Sequence, residues 1–498
     1  MCNVRSDLLL SPDEMSRVDE AASSSGIPVY DLMIRAGYAV AATALARYPQ
    51  AIRFVLLCGP GNNGGDGYVA ACALVESGAQ VALFALGDPH RLQGAAATAR
   101  AAWKEQVLPI AAYEPAPGDV VIDAIFGAGL ARNVPDVVAT LIEKVTGAAL
   151  PVLAVDLPSG LCGRRGVPLG AAFSADCTVT FMARKPGHLL LPGRSLCGDM
   201  EISDIGIPWR IIEAEAGELT ENGPSLWRHL LPSADADSHK YRRGHLAVFS
   251  GETSKTGAAR LSALAGLKNG AGLVTIAAPA DAMETNANHL TAVMLKQLDT
   301  ADDLNDWLKD ARLRTFVLGP GFGIGEKARD FALALRDRSL VLDADGITSF
   351  KDEPNALFDV FSGGPPHLVL TPHEGEFARL FPDLAADENL GKVEKARKAA
   401  RRANAAIVYK GADTVIASPD GRAAINANGP SWLATAGSGD VLAGMIGALL
   451  AQGMPAFEAA AAGVYLHGEA AQMAGPGMTA EDLAEHAGKA LARIVGDL

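Results

Sequence analysis

Short, continuous apolar runs recur along the whole chain, each leading into a loop that carries glycine or an acid and most of them on into a helical stretch. Arg53-Phe-Val-Leu-Leu-Cys58, Leu153-Ala-Val-Asp156, Leu246-Ala-Val-Phe249, Leu340-Val-Leu-Asp343 and Ala406-Ile-Val-Tyr409 are examples. They do not alternate apolar with polar residues, so they do not read as strands with one wet face. Runs of this kind build strands buried on both faces and joined by crossover helices. The expected class is α/β, with doubly wound and mostly parallel sheets. At 498 residues the chain exceeds one hydrophobic core, so two domains are expected.

Composition excludes several alternatives. Hydrophobic residues make up 49% of the chain, beside 53 glycines, which suits a tightly packed α/β enzyme and not a disordered chain. A net charge of −14 argues against a nucleic-acid footprint. No apolar run approaches the ~18 residues of a membrane span, and Met1 to Asp7 lacks the order of a signal peptide, so the expected compartment is the cytoplasm. All six cysteines (Cys2, Cys58, Cys72, Cys162, Cys177 and Cys197) fall in the first two hundred residues, in no zinc-like spacing. They read as reduced thiols, and their asymmetry marks the two ends of the chain as different domains.

In the first half, Ser11-Pro-Asp-Glu14 predicts a capped helix start and Val29 to Tyr48 a second helix. Strand Arg53 to Cys58 then enters the loop Gly59-Pro-Gly-Asn-Asn-Gly-Gly-Asp-Gly67, with a helix expected over Tyr68 to Glu76. Gly59, Gly61 and Gly64, with Asp88 beyond the next strand, satisfy the dinucleotide fingerprint formally. That match carries little weight, because Asn62, Asn63 and Asp66 are polar cargo the fingerprint does not require. Their oxygens suit a hard cation or a ribose and amide. Asp123 and Asp156 each end a strand, and ligands of open α/β sheets bind beyond such ends, so the three loops should converge. A hinge is expected after Pro208, where turn formers and acids predominate, with a linker over residues 221–239.

In the second half, Thr435-Ala-Gly-Ser-Gly-Asp440 opens a buried helix running on to Ala451. The first N–H groups of a helix lack internal partners and seat an anion. Asp440 would repel a phosphate there unless it accepts the proton of a hydroxyl attacking the phosphorus; a glycine-lined, capped core helix is the plain alternative. His373, Glu374 and Glu376 are adjacent in one loop and rarely converge on one ion, so a ligand-contacting or helix-capping His373 is the better reading. Lys410-Gly-Ala-Asp-Thr414 is either a hairpin turn or a contact for nucleotide phosphate, the second being favoured.

These motifs carry two family resemblances. Asn62-Asn-Gly-Gly-Asp-Gly67, Asp123-Ala-Ile-Phe-Gly-Ala-Gly129, Asp156-Leu-Pro-Ser-Gly160, Lys185 and Asp204-Ile-Gly-Ile-Pro208 resemble the NAD(P)H-hydrate epimerases, over about the first 210 residues. That resemblance implies a Rossmann-like domain over residues 1–220 that binds hydrated NADH or NADPH (NADHX, NADPHX). It implies potassium held by Asn63, Asp123 and Ser159. The hydrate would meet Asn62, Asn63, Gly64, Gly65, Asp66, Gly127, Ala128, Gly129, Leu130, Ala131, Arg132, Asn133 and Asp156. Asp156 is then the acid/base candidate. Two departures stand out: Ile34 replaces an acid, and Cys162-Gly-Arg-Arg-Gly166 replaces an Asp-containing turn.

Gly319-Pro-Gly-Phe-Gly323, Leu342-Asp-Ala-Asp-Gly346, Thr371-Pro-His-Glu-Gly-Glu-Phe377, Lys410 to Ala417 and Thr435 to Gly444 resemble the ADP-dependent NAD(P)H-hydrate dehydratases. This implies a ribokinase-like domain over residues 240–498. The hydrate would meet Ala258, Gly321, His373 and Asp440. ADP would meet Lys410, Gly411, Ala412, Asp413, Thr414, Gly437, Ser438 and Gly439, with Mg²⁺ on its phosphates. Asp440 would be catalytic. The implied function is bifunctional: epimerisation of the hydrate, then ADP-driven dehydration to NAD(P)H, AMP and phosphate. The expected partners are these small molecules in a homo-oligomer, without nucleic acid or membrane. The alternative is a ribokinase-like kinase for a vitamin or other small alcohol, with a non-catalytic cofactor-binding N-terminal module.

Overall fold

The computed structural model describes residues 7–232 and 243–496. The chain divides into two compact units, Met1–Leu219 and Thr220–Leu498. No helix among the described residues is long and apolar enough to cross a membrane. Cys58, Cys72, Cys162, Cys177 and Cys197 are free thiols; Cys2 and most of the first seven residues lie outside the described residues.

The first unit opens with α1 (Pro12–Ser24), capped as its sequence requires: Glu14 N–H donates to Ser11 Oγ, and Ser11 N–H donates back to Glu14 Oε2 at 2.6 Å. After α2 (Val29–Arg47) and β1 (Arg53–Cys58) comes α3 (Asn62–Glu76). Strands β2 (Val81–Ala85), β3 (Val107–Pro109), β4 (Asp119–Ala124), β5 (Val152–Val155), β6 (Cys177–Phe181) and β7 (Asp199–Ser203) complete a seven-stranded parallel sheet. Its order is 3-2-1-4-5-6-7, so the direction of winding reverses between β1 and β4. A cleft outside the strand ends forms at such a reversal.

One expectation is corrected here. The stretch Asn62 to Gly67 is not loop but the first turns of α3, six residues ahead of the expected start at Tyr68. Its glycines serve packing: a methyl on Gly64 would lie 2.0 Å from the Gly59 carbonyl oxygen. Only a bare backbone lets the helix sit that close to the strand it leaves.

The second unit holds a ten-stranded sheet. Strands β9 (His245–Phe249), β10 (Leu273–Ala278), β11 (Met294–Gln297), β12 (Thr315–Leu318), β13 (Ser339–Leu342), β14 (Leu368–Leu370) and β15 (Ala405–Tyr409) pair in parallel. Strands β16 (Val415–Ala417) and β17 (Ala423–Ile425) add an antiparallel edge, and β8 (Leu219–Glu221) closes the order 11-10-9-12-13-14-15-16-17-8. The helices Ser438–Ala451 and Ala456–Ala474 are buried along most of their length, and Ser438–Ala451 packs against Thr256–Lys268.

The linker expected over residues 221–239 is corrected in its described part. Asn222 N–H donates to the Ile425 carbonyl at 2.8 Å, and Asn222 Oδ1 accepts from the indole N–H of the fully buried Trp227. Burying an indole with its donor satisfied anchors this segment in the second core, where a linker would stay wet. Residues 233–239 of the expected linker lie outside the described residues.

Candidate functional site

Each unit gathers glycines and carboxylates at the carboxyl ends of its parallel strands. In the first, a cavity of about 630 Å³ is lined by Asp19 on α1, Asn62, Asn63 and Asp66 on α3, residues 125–132 after β4, and Asp156 and Lys185. Asp156 follows β5 with a left-handed backbone, φ 66°, uncommon outside glycine and concentrated at functional sites. Its Oδ1 accepts from Lys185 Nζ at 2.7 Å and Thr180 Oγ1 at 3.0 Å, and its Oδ2 from Ala128 N–H at 2.8 Å. Lys185 is 1% exposed and also donates to Thr180 Oγ1, while His188 Nε2 sits 2.9 Å from the Asp156 carbonyl. Burial would raise the Asp156 carboxyl; Lys185 and the Ala128 amide outweigh it and hold the group below its ordinary range.

Asp123 lies behind that wall, fully buried. Its carboxylate accepts from Ser159 N–H and Ser159 Oγ, both at 2.6 Å, and from Ile125 N–H at 3.3 Å. All three donors are neutral, and burial lifts Asp123 to about 6. A buried carboxylate with only neutral partners beside a hydroxyl and an amide is a donor set that fits a hard monovalent cation. Asn63 lies close by: a methyl on Gly127 would be 3.0 Å from Asn63 Oδ1 and 2.8 Å from Asp156 Oδ2. Asn63 Nδ2 is buried with no acceptor among the described residues.

Of the expected hydrate contacts, Asn62, Asn63, Asp66, Gly127, Ala128, Gly129, Leu130, Ala131, Arg132 and Asp156 line the cavity. Gly64, Gly65 and Asn133 do not: Gly64 faces the Gly59 backbone, Gly65 lies under Met33, and Asn133 packs beside Gly170. Neither departure from the family pattern is in the wall. Ile34 is not a lining residue, and the 162–166 turn spends Arg164 on an ion pair with Asp13.

In the second unit the helix Ser438–Ala451 begins at Gly437, whose φ of 84° and lack of a side chain leave the first turn without a side-chain cap. Ser262 Oγ donates to the Asp440 carbonyl at 2.8 Å, tying this tip to the neighbouring helix. Lys410, at the end of β15, donates to Asp343 Oδ1 at 2.7 Å and lies 3.9 Å from Glu376 Oε2. A methyl on Gly439 would lie 3.5 Å from Lys410 Nζ and 3.6 Å from Asp343 Oδ2, so lysine, aspartate and helix tip converge. Thr371 Oγ1 donates to Asp343 Oδ1 at 2.7 Å. Burial and the charges of Asp343 and Asp345 lift Asp440 to about 6, against the opposing pull of Lys410. Lys410 is itself raised: burial opposes its charge, but Asp343 and Glu376 outweigh it.

The other expected residues fall as follows. Ala258 and Gly321 meet, the Ala258 Cβ lying 3.3 Å from where a Gly321 methyl would be. His373 caps the helix Glu374–Leu380, its Nδ1 accepting from Gly375 N–H at 3.0 Å while Glu376 Oε2 accepts from His373 N–H. Gly411 to Thr414 form the hairpin between β15 and β16, closed by Thr414 Oγ1 donating to the Gly411 carbonyl, and Asp413 pairs with Lys392 at 2.6 Å. The Ser438 side chain turns inward, 3.3 Å from His467 Nε2. No three His, Cys, Asp or Glu side chains among the described residues form a metal cage by themselves. Mg²⁺ does not ask for one, since it takes one or two carboxylates and completes its shell with phosphates and water. Asp343, its Oδ2 beside Gly439, fits that use.

Sequence reasoning passed over Thr180, His188 and Asp19 in the first unit; in the second it placed Asp343 and Thr371 in motifs without giving either a role, and weighed Glu376 only as a metal ligand. The signal for Asp343 was present, since it ends a strand as Asp123 and Asp156 do. Thr180 had none, being a lone threonine whose importance depends on which strand lies beside it.

Comparisons with known proteins find relatives for both parts of the chain. Residues 246–493 match the family described as NAD(P)H-hydrate dehydratase, and residues 29–187 the family described as YjeF-related protein N-terminus. A bifunctional NAD(P)H-hydrate repair enzyme of Moorella thermoacetica is 36% identical over 490 residues, covering 93% of this chain and 91% of its own. One from Escherichia coli is 34% identical over 477 residues, covering 93% and 90%. An ADP/ATP-dependent NAD(P)H-hydrate dehydratase from Bacillus subtilis, crystallised with ATP and Mg²⁺, is 28% identical, covering 53% of this chain and 94% of its own at a TM-score of 0.45.

Proposed function

The chain belongs to the bifunctional NAD(P)H-hydrate repair enzymes, and from that premise we propose how its two sites divide the chemistry. The first unit interconverts the R and S hydrates of NADH and NADPH. The second dehydrates the S form with ADP as phosphoryl donor, giving NAD(P)H, AMP and phosphate. One observation carries the reading: Asp440, lifted to about 6, sits in the first turn of an uncapped helix whose opening amides seat phosphate.

In the second site the hydrate's hydroxyl attacks the terminal phosphorus of ADP while Asp440 takes its proton. The Gly439 amide and Lys410 hold the phosphoryl oxygens. Phosphate is then a good leaving group: the ring nitrogen's lone pair expels it to give a C6=N1 iminium, and loss of a C5 proton to water restores the dihydronicotinamide. Asp343 orients Lys410, and Thr371 fixes Asp343. Ala258, Gly321 and His373 hold the hydrate; Gly411 to Thr414 hold the adenosine side. Mg²⁺, held by Asp343 and the phosphates, would neutralise charge on the transferring group.

In the first site Asp156, kept ionised by Lys185, accepts a proton from the hydrate or from the water that replaces its hydroxyl. Asn63, Asp123 and Ser159 would hold potassium, which would supply a fixed positive charge beside the buried Asp123. Residues 127–132 with Asn62, Asn63 and Asp66 enclose the ring. The reaction takes place in the cytoplasm, where NADH and NADPH are made and spent. The test is stoichiometric: an epimer mixture given ADP should be recovered completely as dihydronicotinamide absorbance. Recovery of one epimer only, on a timescale short against spontaneous interconversion, would remove the epimerase assignment.

A further inference from the structure

Inverting a carbon that bears a hydroxyl asks more of the first cavity than one carboxylate can give. On the reading proposed above, C6 of the hydrated ring loses its hydroxyl from one face and regains it on the other. The departing oxygen needs a proton on the first face, and the arriving water must lose one on the second. Asp156 is committed: three donors occupy its oxygens, and Lys185 keeps it ionised. It suits the base, and a separate acid is required.

Two other carboxyls line the cavity, Asp19 and Asp66, and neither has a hydrogen-bond or ion-pair partner among the described residues. Asp66 belongs to α3, the same helix that presents Asn62 and Asn63, and burial with the charges of Asp156 and Asp19 raises it well above its ordinary value. Asp19 comes from a different wall. It projects from α1, which carries Pro12, Met15 and Ser16 along the same cavity. Helix α1 is held in place from outside the sheet by Arg17 pairing with Glu215 and Arg164 with Asp13. The charged groups bearing on Asp19 are Lys185 and Asp156 beyond the strand ends and Asp66 from α3. Burial and Asp156, against Lys185, lift it to about 6, within reach of both protonation states near neutrality.

We propose that Asp19 is the second proton-transfer residue of this cavity, serving the face of the hydrated ring opposite to Asp156. Protonated Asp19 gives its proton to the C6 hydroxyl as the C6–O bond breaks and the N1 lone pair forms a C6=N1 iminium; water leaves, and Asp19 remains as carboxylate. Water then adds to the other face of C6, its proton passes to Asp156, and the C6=N1 electron pair returns to nitrogen. The ring is inverted and one proton has moved from Asp19 to Asp156. The reverse epimerisation runs the same path backwards, which is why both groups must be able to hold and release a proton.

The experiment follows NADHX interconversion by chromatography of the two epimers in the full-length wild type, Asp19→Asn, Asp19→Glu and Asp66→Asn, with hydrate binding and thermal melting measured alongside. Asp19 stands at the surface edge of the cavity with no hydrogen bond among the described residues to lose, so its variants should fold, with Asp19→Asn melting no lower than the wild type. Expected is a fall in kcat of about 100-fold or more for Asp19→Asn with KM nearly unchanged, partial recovery in Asp19→Glu, and a smaller kcat effect for Asp66→Asn. Asp19→Asn interconverting within about threefold of wild type would overturn the assignment, as would loss of hydrate binding in place of loss of kcat. So would a pattern in which Asp66→Asn alone is inactive. A silent wild type would remove the epimerase reading itself; an active wild type with an unaffected Asp19→Asn removes only this inference.

Discussion

Asp156 and Asp440 are the same residue type, each placed where strands or helices end beside glycine-lined backbone, yet their proton affinities move in opposite directions. Asp156 lies below its ordinary range and Asp440 is lifted to about 6. Each site has a lysine paired with a carboxylate, buried at Lys185 and half-buried at Lys410, and the difference is where that lysine donates. Lys185 bonds Asp156 directly at 2.7 Å, whereas Lys410 bonds Asp343 and leaves Asp440 facing two further carboxylates. Moving the lysine's hydrogen bond from the aspartate to a neighbouring carboxylate raises the aspartate's affinity for a proton. The two halves of the repair therefore use one residue type in two states, set by a neighbour and not by the aspartate.

The largest effect expected is on Asp440→Asn. ADP-driven recovery of dihydronicotinamide should fall about 10³-fold, within the range a general base supplies, while epimer interconversion stays at the wild-type rate. Full-speed recovery would break the comparison, since Asp440 would then have no proton to take.

Lys185→Met tests the other side. It strips the cation from a buried carboxylate, and losing one partner of such a pair costs about 3 kcal/mol, so the first unit should unfold at lower denaturant concentration. The acid limb of epimerase activity should also move upward, because Asp156 is left with burial and no ammonium. An unmoved limb would mean that the ion pair does not set the state of Asp156.

The smallest effect expected is in the pH dependence of dehydration and of stability. Asp440 must be ionised to accept a proton, so dehydratase activity should fall as pH drops through about 6. A carboxyl raised in the folded state binds its proton more tightly there than in the unfolded chain. The fold is thus favoured at low pH and loses that advantage as pH rises from about 4 to about 6. Above that range a charged Asp440 is a standing cost, and Asp440→Asn should melt ~2 °C higher than wild type at pH 7. A lower melting temperature would contradict the direction of the shift.

Much of this was legible from local pattern. Uninterrupted apolar runs specify doubly covered parallel strands wherever they occur, and Ser11 with Glu14 specifies a capped helix, because both depend on a few neighbouring residues. Strand-end acids announced Asp123 and Asp156, and an acid in the first turn of a glycine-led helix announced Asp440, for the same reason. The helix start at Asn62 was misplaced because glycine and asparagine read as turn formers, when close packing against Gly59 was the real demand on Gly64. Residues 221–232 read as a linker because nothing local reveals that Trp227 fills a core 200 residues away in sequence.

By itself, then, the chain's sequence determined the class of fold, the division into two α/β units and the places where strands end in acids and glycines. These are short-range properties of hydrophobicity, backbone freedom and capping. Only the tertiary structure decided which lysine donates to which carboxylate, that Thr180 and Thr371 support those pairs, and that Asp19 shares a cavity with Asp156. Proton affinity depends on distances between residues far apart in the chain, and those distances exist only once the strands have taken their order.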